Sequence, residues 1–224
     1  MAGRVPLTAV ILPTLDTPAA LARVLAELPA HVVAYVVDDG SKQQCVATAS
    51  AATIHVLRHD TNRGYGAAQK SGYAAALAAG AERIVLLHGD GQYDTADTLA
   101  LSAALDHAPA VLGSRFLADP SVIPAWRRLG NGLLTGVANL RFGTKHTELH
   151  SGARAFRAST LAALPLERFS DDFLFDQQVL CALFRSGQVV AELPVRARYD
   201  ATTRSISPWR SLVYALGCLR EILR

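Results

Sequence analysis

Short runs of β-branched and other apolar residues alternate along the chain with segments whose apolar residues recur every three or four positions. The short runs predict strands at residues 8–12, 31–37, 53–57, 83–88, 110–112 and 189–195. Helices are predicted after Pro18, Tyr65, Asp94 and Ile123, and over residues 171–185. This alternation predicts an α/β fold with a largely parallel central sheet flanked by helices.

The first predicted helix has a clear beginning and end. Thr17 is placed as the N-cap, Pro18 suits the first helical position, and Pro29 follows the last turn. Between them one apolar stripe should face the sheet, formed by Leu21, Val24, Leu25 and Leu28.

Polar clusters follow four of the predicted strands, at residues 13–16, 38–41, 62–66 and 88–92. Ligands of open α/β sheets bind at the carboxyl ends of strands. We therefore expect these clusters to meet at one site.

The second cluster contains adjacent carboxylates, Asp38 and Asp39. One of them is expected to accept hydrogen bonds from a base or a ribose in a cleft, and the alternative is an ordinary capping turn. The third cluster, with Gly64, Tyr65 and Gly66, has the form of a strand-to-helix turn whose free N–H groups attract phosphate. Its alternative is a helix entry that needs glycine at positive φ.

The fourth cluster places Asp90 between Gly89 and Gly91, just beyond a predicted buried strand and two residues before Gln92. A carboxylate in that setting suits Mg²⁺ or Mn²⁺ bridging a diphosphate. A turn-forming Asp-Gly pair is the alternative. His88 fits either a core position at the end of a strand or a ligand.

Arginines are concentrated downstream, where several could meet phosphate groups. These are Arg115, Arg127, Arg128, Arg196, Arg198 and Arg204, and each could instead be a solvated surface residue. A catalytic base is sought among Asp171, Asp172 and Asp176, and their spacing does not choose between them.

Composition limits the class of protein. The chain has 224 residues, 50% of them hydrophobic and 18% charged, which excludes a disordered or fibrous protein. Residues 1–114 carry a net charge of −3 and residues 115–224 one of +6. A total of +3, without a basic-aromatic pattern, disfavours nucleic-acid binding. Three cysteines without a CxxC pair favour a reducing compartment, and we expect a cytoplasmic protein.

The motifs, taken in order, resemble those of glycosyltransferase family 2, and most closely its polyprenyl-phosphate (dolichyl-phosphate) sugar synthase branch. The resemblance covers about residues 7–210. It rests on the four clusters above and on three later segments: Gly113-Ser114-Arg115-Phe116, His150-Ser151-Gly152-Ala153-Arg154-Ala155 and Glu192-Leu193-Pro194-Val195.

The resemblance implies a GT-A fold, a nucleotide-diphosphosugar donor, Mg²⁺ or Mn²⁺, and inversion at the anomeric carbon. It implies a metal site at Asp90 and Gln92, with His88 as a further contact, and an acceptor site at Arg128 and Ser151. The catalytic residues would be Asp90, Arg115 and Asp172. The donor would meet Pro13, Thr14, Asp38, Asp39, Gly64, Tyr65, Gly66, His88, Gly89, Asp90, Arg115, Arg198 and Arg204.

This sequence departs from the family pattern in three places. His88 stands in the first position of the Asp-x-Asp motif, and Glu148 replaces an aspartate. Leu15-Asp16-Thr17 replaces the usual Tyr-Asn-Glu after Pro13-Thr14.

We expect a catalytic domain over residues 1–206 and an amphipathic helix over 207–224. That helix, like the segment around Leu129 and Leu133, could pack on the domain, in a homodimer or on an anionic membrane surface. The expected function is hexose transfer to polyprenyl phosphate, on the cytoplasmic face of a membrane. The alternatives are a soluble acceptor and a catalytically silent sugar-nucleotide binding protein.

Overall fold

A mostly parallel β-sheet forms the centre of the computed structural model, which describes residues 6–43, 50–198 and 208–224. Within these residues, seven strands pair in the order β3-β2-β1-β4-β6-β5-β7. They are β1 (Thr8–Thr14), β2 (Val32–Asp38), β3 (Thr53–Arg58), β4 (Arg83–Leu86), β5 (Ala110–Ser114), β6 (Arg154–Arg157) and β7 (Val190–Pro194). The predicted α/β class is confirmed.

Eight α-helices lie between or after these strands in the described chain. They are α1 (Pro18–Ala26), α2 (Tyr65–Ala78), α3 (Thr95–Ala100), α4 (Arg115–Ala118), α5 (Ala125–Phe142), α6 (Ala158–Ala162), α7 (Leu174–Arg185) and α8 (Pro208–Leu223). The stripe predicted for α1 is buried, including Leu28 just beyond the helix. Thr17 occupies the N-cap position, but its side chain makes no capping bond and pairs with the Thr14 hydroxyl at 2.8 Å.

The sequence pattern does not predict strand β6. It runs antiparallel between β4 and β5, whereas the other strand pairs are parallel. Only four residues long, it begins and ends with arginine and so lacks an apolar run. The Arg154 side chain is nevertheless buried, because backbone carbonyls of Leu149, Ser151 and Asp176 accept its hydrogen bonds.

Helix α7 begins at Leu174, so the prediction of a helix from residue 171 is wrong for its first turn. The carbonyl oxygen of Asp171 instead accepts a hydrogen bond from Ala67 N, at 3.1 Å. Its carboxylate pairs with Lys70 at 2.9 Å. These contacts tie residue 171 to α2 and keep it out of the helix.

Helix α8 packs against α5 and α7. Cys218 and Ile222 are buried there, and Glu221 pairs with Arg185 at 2.6 Å. The expected domain boundary at 206/207 lies outside the described residues. No helix in the described part of the chain combines the length and the apolar character needed to cross a bilayer.

Helix α2 approaches the sheet closely at Gly72. A Cβ atom at this position would come within 3.2 Å of a Val37 methyl group and still closer to one of Ile11. Glycine is therefore required here by packing, and it fixes the distance between α2 and β1.

We expect Gly72→Ala to lower the free energy of unfolding by about 1–3 kcal/mol, because the added methyl overpacks the core. The matched control is Gly136→Ala in α5, where nothing lies within 4 Å of the new Cβ. That change should raise stability by about 0.5–1 kcal/mol through helix propensity. Urea unfolding of both variants measures the difference, and equal effects would contradict this account of the packing.

Candidate active site

The polar clusters meet at the carboxyl end of the parallel strands, around a cavity of about 500 Å³ that we call the first chamber. Its walls are the segments that follow β1, β2, β3 and β4, together with residues 171–173. Pro13, Thr14 and Asp90, three of the residues predicted to meet the donor, line it. Loops from four separate strands thus meet at one place.

Asp39 shapes the wall of the first chamber. Its buried carboxylate accepts hydrogen bonds from the backbone N–H groups of Arg63 and Gly64, both at 2.9 Å, and pairs with His59 Nδ1 at 2.6 Å. Asp39 therefore both faces the cavity and holds the turn that leads into α2.

Asp38 has a different environment from its neighbour. It is buried, accepts a hydrogen bond from Ser41 N at 2.9 Å, and pairs with Arg58 at 2.5 Å. It is not among the lining residues of the first chamber. Asp38 thus holds the loop after β2, and its contact with the nucleoside stays a prediction.

Gly64 allows the loop at residue 171 to contact the beginning of α2. Its φ is +108°, and a Cβ here would collide with the carbonyl oxygen of Asp171. Gly66 is packed as tightly, against Ser170 and Phe175. The Asp171 carbonyl already uses the Ala67 N–H, so the free donors at this helix end are fewer than the sequence suggested.

Tyr65 and His88 line both the first chamber and a second cavity, described below, and form a wall between the two. The Tyr65 hydroxyl donates to Asp176 Oδ2 at 3.3 Å and lies 2.6 Å from His88 Nε2. Burial is the main reason that the pKa of His88 lies below its ordinary value, and Asp90 opposes the shift. The imidazole also meets Tyr93 edge-on and closely contacts Gly152.

Asp90 is an exposed carboxylate of the site. Its Oδ1 accepts a hydrogen bond from Gln92 N at 2.9 Å. No group of three or more His, Cys, Asp or Glu residues placed to hold a metal occurs among the described residues. Mg²⁺ is commonly held by one or two carboxylates together with substrate phosphates, and Asp90 with Gln92 fits that shared mode. His88 fits it less well, because Tyr65 engages its Nε2.

A second chamber, of about 510 Å³, lies on the other side of the Tyr65–His88 wall. Leu133 and Leu134 of α5 and Leu216 and Leu219 of α8 give it an apolar side. Asp90, Gln92 and Arg115 face it from the sheet. The chamber therefore joins an apolar passage to the charged residues of the site.

Arg115 is buried and fixed by Glu148. Its backbone N–H donates to Glu148 Oε2 at 2.9 Å, and its Nε lies 3.0 Å from Oε1. Its terminal nitrogen completes the ion pair and also donates to the His150 carbonyl at 3.2 Å. Glu148, which stands where the family pattern has an aspartate, thus orients Arg115.

The predicted acceptor residues lie just beside the second chamber. Arg128 is exposed and donates to the Pro120 carbonyl at 3.2 Å. Arg127 lines the chamber, and its guanidinium carbon lies 4.9 Å from the centre of the Trp126 ring. Ser151 is buried and bonded to Ala153 N, so its neighbours His150 and Gly152 line the chamber instead.

The other predicted residues are spread around the site. Arg198 lines a neighbouring cavity of about 530 Å³ with Arg23, Asp90 and Gln92. Arg204 lies outside the described residues. Gly89 is buried where a Cβ would come within 3.2 Å of the Pro13 carbonyl.

The three candidate bases have distinct surroundings. Asp171 is paired with Lys70, and Asp172 is an exposed lining residue of the first chamber. Asp176 lines the second chamber and accepts hydrogen bonds from Tyr65 and from Gln69 Nε2, the latter at 2.9 Å. Arg154 lies 3.6 Å from the same carboxylate.

Comparison with known proteins gives the family. The model for "Glycosyl transferase family 2" matches residues 9–164. The chain belongs to glycosyltransferase family 2. Residue 164 lies just beyond α6, so the match contains Arg115, β6 and the strand-end loops of the first chamber, but not residues 171–173 of its wall.

Two curated proteins similar to this family 2 glycosyltransferase have names that include a lipid phosphate. The undecaprenyl-phosphate mannosyltransferase of Micrococcus luteus is 27% identical over 146 residues, which are 64% of this chain and 60% of that protein. The UDP-N-acetylglucosamine–dolichyl-phosphate N-acetylglucosaminyltransferase of Methanococcus voltae is 26% identical over 151 residues, 65% of this chain and 60% of that one. The chain therefore aligns with less than two thirds of either relative.

A solved structure shares the fold. Glucosyl-3-phosphoglycerate synthase of Mycobacterium tuberculosis, crystallised with Mn²⁺, UDP and glucosyl-3-phosphoglycerate, superposes with a TM-score of 0.70 at 17% identity. The superposition covers 97% of this chain and 79% of the synthase. The same synthase has also been crystallised with Mg²⁺ and UDP. The GT-A fold expected from the sequence is confirmed.

We expect Tyr65→Phe to lower the free energy of unfolding by about 1 kcal/mol, because His88 Nε2 and Asp176 lose a hydrogen-bond partner. Tyr35→Phe is the control, since the Tyr35 ring is buried in β2 without a hydrogen bond from its hydroxyl to the described residues. That substitution should change the free energy of unfolding, measured in urea, by less than about 0.5 kcal/mol. A Tyr65→Phe variant as stable as the control would show that the wall does not depend on this hydroxyl.

Proposed function

We propose that the protein transfers a hexose from a nucleotide-diphosphosugar to polyprenyl phosphate, with inversion at the anomeric carbon and with Mg²⁺ or Mn²⁺. The observation that carries this proposal is the position of Asp90, which lines both the first and the second chamber. One exposed carboxylate thus faces both the cavity formed by the strand-end loops and the cavity lined by leucines of α5 and α8.

The first chamber suits the donor. Its walls include Asp39, Asn62 and the turn at Gly64, which offer the polar groups that a nucleoside needs. Asp90 lies on the same wall, where Asp90 and Gln92 would hold the metal. When bound, Mg²⁺ or Mn²⁺ would neutralise charge on the departing diphosphate. The solved relative's crystals with UDP and Mn²⁺ support this placement by analogy of fold.

The second chamber suits an acceptor that is apolar at one end and anionic at the other. Leu133, Leu134, Leu216 and Leu219 would contact an isoprenoid chain. Arg127 lies on the same lining and would attract its phosphate, whereas the charge of Arg115 is paired with Glu148. The names of the two curated relatives, both lipid-phosphate enzymes, support this class of acceptor.

In the proposed reaction, a phosphate oxygen of the acceptor attacks the anomeric carbon from the face opposite the diphosphate. The new bond joins that oxygen to the sugar, and the bond to the nucleoside diphosphate breaks. Because the acceptor phosphate is already an anion, no strong base is needed. We place Arg115 beside the transferred sugar, held in position by Glu148, and Asp172 on the donor side. Since polyprenyl phosphates are membrane lipids, the proposal includes contact with a membrane surface.

We expect Asp90→Asn to reduce transfer by about 100-fold or more, since a metal at a leaving group stabilises the transition state by several kcal/mol. The assay would follow nucleoside diphosphate release and glycolipid formation with UDP-, GDP-, CDP- and dTDP-hexoses, with Mn²⁺ or with chelator. Asp106→Asn is the control, because that exposed carboxylate pairs with Arg83 at the far end of β4. Undiminished transfer in the Asp90 variant would remove the metal assignment.

The same assay separates the alternative functions. A thermal shift with nucleotide and Mn²⁺ but no turnover on any donor would indicate a silent binding protein. Turnover on soluble alcohols or glycans with none on polyprenyl phosphate would indicate a soluble acceptor.

We expect Arg127→Gln to raise KM for a short, detergent-dispersed polyprenyl phosphate by about tenfold, because a charge-assisted hydrogen bond is lost. Arg128→Gln, one residue away and outside the chamber, should change KM by less than about twofold. Neither variant should alter the thermal shift caused by the nucleotide. A larger increase in KM for Arg128→Gln than for Arg127→Gln would contradict this proposal and would support the sequence prediction for Arg128.

A further inference from the structure

We propose that one exposed apolar surface, formed by α5 and α8, inserts into the headgroup region of an anionic lipid bilayer, with the second chamber opening through it. We call it the leucine surface. It consists of Trp126, Leu129, Leu133 and Leu140 on α5 and Leu212, Val213, Leu216 and Leu223 on α8. The inference rests on the proposed function for the lipid acceptor, but the surface itself is tested separately.

The leucine surface is unusually exposed for large apolar side chains. Leu129 is 76% exposed, Leu133 68% and Leu140 88%. With Trp126 they stand at positions i, i+3, i+7 and i+14, which form one stripe of a helix. Water-soluble proteins rarely expose apolar residues in such continuous patches, and patches of this kind mark interaction sites.

Helix α8 extends the stripe. Leu212, Leu216 and Leu223 are spaced by four and seven residues and are each more than half exposed. The opposite side of α8 is buried through Cys218 and Ile222. Because α5 and α8 pack against each other, their exposed stripes belong to one region.

The leucine surface continues into the second chamber. Trp126, Leu133 and Leu216 belong to both the surface and the lining of the chamber. An isoprenoid chain could therefore pass from lipid to Asp90 and Arg115 while remaining in contact with apolar side chains.

The charges beside the leucine surface identify an anionic partner. The charged residues of α5 are Arg127, Arg128 and Arg141, without an acidic residue. On α8 and just after it, Arg220 and Arg224 are exposed, whereas Glu221 is buried against Arg185. Basic groups bordering an apolar helix face are typical of interfacial helices on anionic lipids.

A second copy of the chain fits this surface less well than a bilayer. In a two-fold dimer the same patch is present on both partners, so arginines of one copy would face arginines of the other. Like charges brought together at an interface disfavour association. An anionic bilayer offers both the apolar layer and the opposite charge.

The test is sedimentation of the full chain with sucrose-loaded vesicles of phosphatidylcholine alone or with about one third phosphatidylglycerol, at low and high salt. The wild-type protein should bind the anionic vesicles. Leu129→Glu combined with Leu212→Glu, both outside the lining of the chamber, should weaken binding by at least about tenfold. Val56→Glu, the same change on the exposed edge strand β3, should stay within about twofold.

A charge variant gives a second measurement. Arg220→Gln combined with Arg224→Gln should weaken binding to anionic vesicles by about fivefold for each arginine and leave any binding to phosphatidylcholine alone unchanged. Full vesicle binding by the double glutamate variant would overturn the inference. A second result would also overturn it: light scattering shows that the wild-type protein is a dimer and the variant a monomer, and the wild-type protein does not bind vesicles.

The outcomes also separate this inference from the proposed function. The double glutamate variant should keep transfer to a short, detergent-dispersed acceptor and lose it only for a long acceptor embedded in vesicles. Vesicle binding without transfer to any acceptor would contradict the proposed function alone. Transfer to embedded acceptor that is equal in wild type and double variant would contradict the leucine surface alone.

Discussion

The buried guanidinium of Arg154 ties the segment that precedes β6 to the beginning of α7. It donates to carbonyl oxygens of Leu149 and Ser151 on one side and of Asp176 on the other. A buried charge without such partners would cost several kcal/mol, so the surrounding backbone is constrained to meet it. The segment around His150 and Gly152 and the first turn of α7 are thereby fixed against each other, and both face the second chamber.

The acidic groups of the first half of the chain are largely used within the fold. Asp38 pairs with Arg58, and Asp39 with His59 and two backbone N–H groups. Asp90 is the carboxylate from these clusters that is exposed and lines both chambers. In the second half Arg115 is likewise paired, with Glu148. The contrast between −3 and +6 in the two halves therefore overstates the charge that each half offers to a ligand.

The α/β class, most elements and the meeting of the polar clusters could be predicted from the sequence, because alternating apolar runs and strand-end loops are local signals. Strand β6 could not, since its pairing depends on distant neighbours and its arginines hide any apolar pattern. The sequence also does not show which of Arg127 and Arg128 lines the second chamber. Successive helical residues differ by about 100° in direction, so which one faces a cavity depends on how α5 packs. His88 is a candidate ligand in the sequence because it stands in the first position of the Asp-x-Asp motif. Its contact with Tyr65, 23 residues away, has no local signal.

The antiparallel strand β6 also sets a distance. Because it lies between β4 and β5, the loops that carry Asp90 and Arg115 leave the sheet two strand spacings apart, about 9–10 Å. The beginning of β6 reaches the same edge of the sheet between them, and there Gly152 contributes no side chain. The space left by the missing side chain is taken by the His88 imidazole, whose Nε2 and Cε1 would collide with a Cβ at Gly152. The strand order therefore separates Asp90 from Arg115, and the histidine ring fills part of the interval between them.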